Sequence, residues 1–243
     1  MKLSVVIITK NEEMNIQDAL ASVVWADEKI VLDSGSTDQT VFLARLEGAQ
    51  VHEEPFTDFA AQKNKALGLA SGDWVLLIDA DERITVPLQA EIKACLAQNQ
   101  PAAYAIPRDT FFFGRRLRFS GTREDAPVRL FPRGQARFFQ SVHEQVQTDL
   151  PVIKLKNKMP HYSTRDREHY QRKLDCYLPL EIKVMREKGR RLGFWDPWLR
   201  PLLKFCQLYF FQAGILDGLA GLQYASFSSY YVFLKYSRAL NAA

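Results

Sequence analysis

The sequence predicts an α/β fold: an open sheet of parallel strands joined by crossover helices, continued by a mostly helical C-terminal region. Three observations predict it. Strand-like and helix-like stretches alternate from Leu3 to Glu82, the order that sets parallel strands beside covering helices. The strand-like runs are apolar without alternation, as strands covered on both faces are. Beyond Pro160 the apolar spacing is helical almost throughout.

The elements follow in order. "LSVVIIT" is a β-branched strand, "KNEEMN" a polar turn, and "IQDALASVVW" a helix by its apolar spacing. "EKIVLDSGSTDQT" holds a second strand that ends at Asp33 and opens through Gly35, Ser36 and Thr37. The helix "TVFLARLEG" stops at Gly48, a residue suited to a helix C-terminus. "AQVHEEP" is a short third strand, "FAAQKNKALGLAS" a helix and "DWVLLIDADE" the fourth strand. From Tyr104 to Gln147 the short pieces "AYAIP", "RLRFSG", "PVRLFP" and "ARFFQ" lie between Gly and Pro breakers. They predict an antiparallel extension of the sheet.

A chain of 243 residues is one large domain, or one domain with an extension. Its 47% hydrophobic share supports a core, and 25% charged residues is ordinary. Cys95, Cys176 and Cys206 are scattered and lack metal-ligand spacing, which suits a reducing compartment. Met1 to Thr9 is too brief for a secretory h-region and runs into Glu12 and Glu13, so it reads as the first strand. The net charge of +4 divides unevenly: residues 1–153 carry −5, Lys154 to Arg200 carry +7, and the remainder +2. An acidic front and a basic back predict two tasks, against the plainer reading of a solvated basic helix.

In parallel sheets of this kind, ligands bind beyond the carboxyl ends of the strands. Glu12, Asp33, Asp38, Asp79 and Asp81 all fall at or just after predicted strand ends. The densest group is "LLIDADERI", where an apolar strand runs into Asp79, Asp81 and Glu82. Crowded carboxylates resist ionising, and a hard divalent cation, Mg²⁺ or Mn²⁺, would relieve them while holding substrate phosphates. A solvated strand-to-loop turn is the competing reading of an isolated D-x-D. A haloacid-dehalogenase-type phosphatase is disfavoured because Glu82 and Arg83 follow the second Asp. The loop Ser34 to Thr37 fits neither a Walker pattern nor G-x-G-x-x-G, which excludes ATPase and dinucleotide readings.

"SVVIITKNEE", "VLDSGSTDQT", "AAQKNKALGLASGDWVLLIDADE" and "RLFPRGQARFFQSVHEQV" occur in that order. Together they resemble the family 2 glycosyltransferases of GT-A fold, and within them the small bacterial branch that includes lipopolysaccharide core glucosyltransferases of the WaaE type. The resemblance covers residues 1–150, and "GILDGLAGL" near the end is a looser match. It implies a Rossmann-like nucleotide-diphospho-sugar transferase fold over residues 1–160, with a helical, basic and aromatic extension over 161–243. It implies an inverting, metal-dependent transfer from a nucleotide sugar, UDP-glucose by resemblance alone, to a lipopolysaccharide-core or other glycolipid acceptor.

The same resemblance assigns residues. Thr9 and Glu12 match positions touching the donor base and ribose, and Asp33 the second-strand acid near the nucleobase. Asp38 reads better as a helix cap. Lys63 and Asn64 match the helix segment facing the donor, Asp79 the acid that meets the ribose, and Asp81 the metal ligand. His161 matches an additional metal ligand found in many GT-A enzymes, against the plainer reading of a packed histidine. Arg129 and Arg133 flank "LFP" and face either the diphosphate or solvent. A base must take the acceptor's hydroxyl proton. Glu144 in "SVHEQV" is the candidate, with His143 orienting it and Asp125 in reserve.

Between Lys204 and Lys235 only Asp217 is charged, and Phe194 to Tyr236 hold 13 of the 29 aromatic residues. Glycines and polar residues interrupt the stretch, which argues against a bilayer span. With "KLKNK", "RDREHYQRK" and "REKGRR" upstream, it predicts peripheral contact with an anionic membrane. The competing fates are packing on the catalytic domain or a dimer contact. The expected location is cytoplasmic, at the inner face of the bacterial inner membrane. No nucleic-acid polymer is expected as a partner, and the oligomeric state is left open. A sugar-nucleotide pyrophosphorylase would want a Gly- and Arg-rich first loop, which "KNEEMN" is not. A non-catalytic nucleotide-sugar-binding or membrane scaffold would tolerate loss of Asp81 and Glu144.

Overall fold

The structure is a computed structural model that describes residues 1–139, 145–189 and 192–241. The chain divides into two compact units. The first comprises Met1–Arg108 and Ala126–His161, the second Asp109–Asp125 and Tyr162–Ala243.

The first unit is built on a seven-stranded mixed sheet. Its strands are β1 (Leu3–Thr9), β2 (Glu28–Asp33), β3 (Gln50–Glu53), β4 (Trp74–Asp79), β5 (Ala103–Ala105), β8 (Val128–Pro132) and β11 (Val152–Lys154), in the order β11-β5-β8-β4-β1-β2-β3. β6 (Arg108–Phe112) and β7 (Arg115–Arg116) fall between β5 and β8 in the chain, and β9 (Arg137–Phe139) and β10 (Gln145–Gln147) form a separate antiparallel pair. β1 pairs in parallel with β2 and β4, and β2 with β3. β8 enters antiparallel between β4 and β5, as the change of pattern after Tyr104 predicts.

Why the strands read as unbroken apolar runs is visible in the core. Val5, Ile7, Val31, Leu76 and Ile78 face one layer, against Ile16 and Leu20 of helix α1 (Glu13–Ala21) and Leu88 and Ile92 of α4 (Val86–Gln98). Their neighbours Val6, Ile30, Leu32, Val75 and Leu77 face the other, against Ala60 and Ala66 of α3 (Phe59–Leu69) and Phe131 and Phe138. Period-two alternation thus supplies two cores, and neither face can be polar. Local chemistry sets the helix ends. Asp58 accepts from the Ala61 amide at the start of α3, and Gly48, at φ +73°, follows α2 (Thr40–Leu46).

The second unit contains β6 from Asp109 onward with β7, the part of β12 (Met159–Thr164) from Tyr162 onward, and three long helices, α5 (Arg167–Glu187), α6 (Asp196–Cys206) and α7 (Gly218–Asn241). The stretch "RLRFSG" is a strand only at its start: the Leu117 amide still donates to the Thr110 carbonyl (2.8 Å), and Ser120 and Gly121 then take positive φ. β6, "RDTFF", is a strand the sequence reading leaves unassigned. The "GILDGLAGL" segment has a packing explanation. It forms a 3₁₀ turn (Gly214–Asp217) and the start of α7. A Cβ on Gly221 would lie 1.9 Å from the Gly214 carbonyl oxygen. Asp217 accepts from the Arg118 and Phe119 amides (2.9 and 3.0 Å) and from the Ser120 hydroxyl (2.9 Å), tying the hairpin to the tail.

Candidate active site

The register of the sheet collects the strand-end residues on one rim. Thr9 stands opposite Asp33, and Ile8 opposite Asp79. Beyond Asp79 the chain turns, the Glu82 amide donating to the Asp79 carbonyl (3.0 Å) while the Glu82 carboxylate accepts from the Asp79 amide (2.8 Å). Arg83 clamps the turn from below, donating to the Ala80 and Glu82 carbonyls (both 2.8 Å) and to the Asn15 carbonyl of α1 (2.9 Å). Its own amide donates to Pro160, and Glu82 pairs with His161 across an isolated bridge. The turn and His161 are therefore held together by backbone, and this brings the His161 imidazole to Asp81.

Arginine supplies much of the charge balance of the carboxylate knot, a contribution the sequence reading does not include. Arg129, with 2% of its side chain exposed, donates to Asp79 and to Glu82 (2.8 Å to the latter), and Glu82 is fully buried. Arg108 reaches the same two acids at 3.3 and 2.6 Å, and Lys63 Nζ stands 3.5 Å from Asp79. Burial pushes the Asp79 carboxyl up, but Arg129, Lys63 and Arg108 overcome this and hold it well below the ordinary carboxylate range. Burial would likewise lower Arg129, and the charges of Asp79 and Glu82 raise it instead. Arg129 is thus a buried brace under Asp79, while Arg133 is exposed.

Asp81 stands beside this network, its charge opposing the ionisation of Asp79. Its Oδ2 is 3.6 Å from His161 Nε2, too long for a good hydrogen bond, and His161 Nδ1 is buried without a partner among the described residues. A carboxylate oxygen and an imidazole nitrogen set this far apart fit two ligands of one cation. Among the described residues no three His, Cys, Asp or Glu side chains cluster to cage a metal. Mg²⁺ needs no such cage when one or two protein ligands combine with substrate phosphates and water.

The other expected residues divide by what they touch. The Thr9 hydroxyl is buried at the rim with no hydrogen-bond partner among the described residues. Glu12 begins α1 and accepts from the Asn15 side chain at 2.6 Å. Asp33 organises its own turn, accepting from the Gly35 and Ser36 amides and the Ser36 hydroxyl (2.9, 2.7 and 2.5 Å). Asp38 accepts from the Thr40 and Glu13 amides, a capping role. Asn64 uses both ends of its amide on the Phe138 backbone, fixing β9 to α3. Asp125 belongs to the second unit, beside Tyr224, whose hydroxyl burial and then the Asp125 charge push up. His143 and Glu144 lie outside the described residues. Arg108 is the site builder that the sequence reading misses, and Glu82, counted there in the acidic group, gains a role as the buried partner of Arg108 and Arg129.

A family model described as glycosyl transferase family 2 matches residues 4–172. The chain belongs to that family. It is similar, at 31% identity over 90% of its length and 80% of the relative's, to a glycosyltransferase of Rickettsia typhi. It is also similar, at 29% identity over 96% of its length and 90% of the relative's, to the lipopolysaccharide core biosynthesis glycosyltransferase LpsC of Rhizobium meliloti. Among solved structures, TarS of S. aureus (residues 1–349, in complex with UDP-GlcNAc) matches with a TM-score of 0.55 and 18% identity, covering 98% of this chain and 92% of that one. This family 2 glycosyltransferase therefore has the GT-A fold, and its C-terminal helices continue the α/β core. The non-catalytic reading falls away, since the chain is a glycosyltransferase.

Proposed function

We propose that this enzyme moves a sugar, glucose from UDP-glucose in the favoured reading, onto a lipopolysaccharide-core or other glycolipid acceptor, with inversion at the anomeric carbon and with Mg²⁺ or Mn²⁺. The observation that carries the reading is the pairing of Asp81 with His161 at 3.6 Å, beside an Asp79 held ionised by Arg129, Lys63 and Arg108. The name of the LpsC relative supports the acceptor class. Asp81 and His161 would hold the ion. When bound, it supplies Lewis-acid uptake of the charge that develops on the departing diphosphate.

The remaining roles belong to side chains. Asp79, fixed in place and kept anionic by its three cations, accepts hydrogen bonds from the donor's ribose. Thr9, Glu12 and Asp33 line the nucleoside end of the rim, and Lys63 places a positive charge close to Asp79. Glu144 takes the proton from the attacking acceptor hydroxyl, with Asp125 in reserve. Reaction at the inner face of the inner membrane, with peripheral contact to anionic lipid, would bring a lipid-borne acceptor to the rim.

Nucleotide-sugar hydrolysis and transfer, measured with Mn²⁺ or with chelator, test the reading. Asp81→Ala should lower turnover by about two to three orders of magnitude. Turnover indifferent to both chelator and Asp81→Ala would sink it. Glu144→Gln should keep donor binding, read as a thermal shift with Mn²⁺ and UDP-glucose, and lower transfer about 100- to 10,000-fold.

A further inference from the structure

Helix α6 is built inside out. The face it turns inward carries Pro197 and Pro201, which are buried. Polar and aromatic ties join it to α7. The Ser229 hydroxyl donates to the Pro201 carbonyl (2.7 Å), Arg200 lies over the Tyr236 ring (4.8 Å), and Trp198 and Phe233 approach to 5.5 Å. Trp195, Trp198, Leu199, Leu202 and Leu203 stand at i, i+3, i+4, i+7 and i+8, the spacing of a core-facing stripe. All five are more than half exposed, Trp195 at 72%. The charged residues of the helix, Asp196, Arg200 and Lys204, follow at i, i+4 and i+8 and lie off this stripe, Asp196 and Arg200 paired at 2.5 Å.

The stripe continues into the turns that follow. Phe211, Ile215, Leu216 and Leu219 are exposed, Phe211 at 86%. The one acid of this stretch, Asp217, is withdrawn onto the backbone of residues 118–120. A continuous apolar face without a facing charge needs a cover. No helix among the described residues is long and apolar enough to cross a membrane, so an in-plane position suits this face better than a span. The second unit carries 17 Lys and Arg against 10 Asp and Glu. Two copies of so basic a unit repel one another, whereas an anionic surface complements it.

We infer that α6 and the turns after it form an in-plane anchor, lying in the interface of an anionic lipid leaflet with the Trp195–Leu203 stripe inserted and the flanking cations at headgroup level. Insertion of this face requires neither donor nor metal. The inference deepens the proposed membrane contact and rests, for its purpose, on the reading of a lipid-borne acceptor.

The test uses the full chain with vesicles of phosphatidylcholine alone or with about 30 mol% phosphatidylglycerol. The wild type should sediment with the anionic vesicles, far less with the neutral ones, and without UDP-glucose or Mn²⁺. Its tryptophan emission should shift to the blue and be quenched by brominated acyl chains. Leu202→Gln with Leu203→Gln should weaken vesicle binding at least tenfold, with an unchanged circular dichroism spectrum and unchanged UDP-glucose hydrolysis. A wild type that stays in the supernatant, or binds both vesicles equally, overturns the inference. So does a dimer by light scattering that the double variant dissociates. Hydrolysis retained without vesicle binding removes the anchor and leaves the transfer reading intact. Vesicle binding without any hydrolysis does the reverse.

Discussion

β4 and α6 are both apolar segments of regular period, and they put that apolarity to opposite use. Every side chain from Trp74 to Ile78 is buried, and the strand's polar end delivers Asp79 to the rim. The apolar stripe of α6 faces out, and its buried face is two prolines. The first arrangement stabilises the fold and positions chemistry. The second contributes little to folding in water and makes sense when something else supplies the apolar medium. Hydrophobic period reports that a face exists, while packing decides what that face meets.

The sharpest way to break this contrast is to attack the brace at the end of β4. Arg129→Met leaves Glu82 buried against Arg108 and removes a main support of Asp79. Losing one member of a buried charged network costs about 3–5 kcal/mol, to be read from urea unfolding. Leu76→Ala, at a fully buried position on the same strand, should cost about 2–5 kcal/mol. If Arg129→Met were tolerated at full stability and full activity, the ionic brace would not be what holds Asp79.

Gly221→Ala tests the second unit at a place where it is tightly packed. The new methyl would meet the Gly214 carbonyl, and Gly214 is itself hemmed in by the Leu208 carbonyl at 2.6 Å from its own virtual Cβ. Neither neighbour is a flexible side chain, so a cost of about 1–3 kcal/mol is expected from overpacking, measured by thermal or denaturant unfolding. The outcome would separate the tightly packed turn from the exposed helix that precedes it.

Much of the rim was legible because strand ends are punctuated by acids in the sequence. The paired register of Thr9 with Asp33 and Ile8 with Asp79 then follows from parallel order. The brace was not legible, since Arg108 and Arg129 come 29 and 50 residues after Asp79 and reach it through tertiary pairing. One signal was available: an arginine between Val128 and Leu130 in an apolar strand requires a buried partner. For α6 the period could be read and the direction of its face could not. The short strand β6 was missed because five residues of mixed polarity carry no clear alternation.

The pH response offers a smaller effect with a definite sign. The folded value of Asp79 is depressed, so its ionic contribution is fully present above about pH 4, the unfolded value, and is lost as pH falls through the folded one. Urea unfolding between pH 7 and pH 3 should show stability declining on acidification, with a shallower slope for Asp79→Asn. Equal slopes would mean that Arg129, Lys63 and Arg108 do not hold the carboxyl down.

The smallest expected effect bears most directly on α6. In Leu202→Gln with Leu203→Gln the helix keeps its buried prolines and its ties to α7. Gln and Leu have similar helix propensities, and an uncharged side chain leaves the helix dipole unopposed by new charge. Leu202 and Leu203 are 59% and 58% exposed, so their removal forfeits little transfer energy in water. The double variant should stay within about 0.5 kcal/mol of the wild type, read as a denaturation midpoint without lipid. A loss of the size expected for Leu76→Ala would mean that this face is covered by protein in solution, and the contrast between the two regions would close.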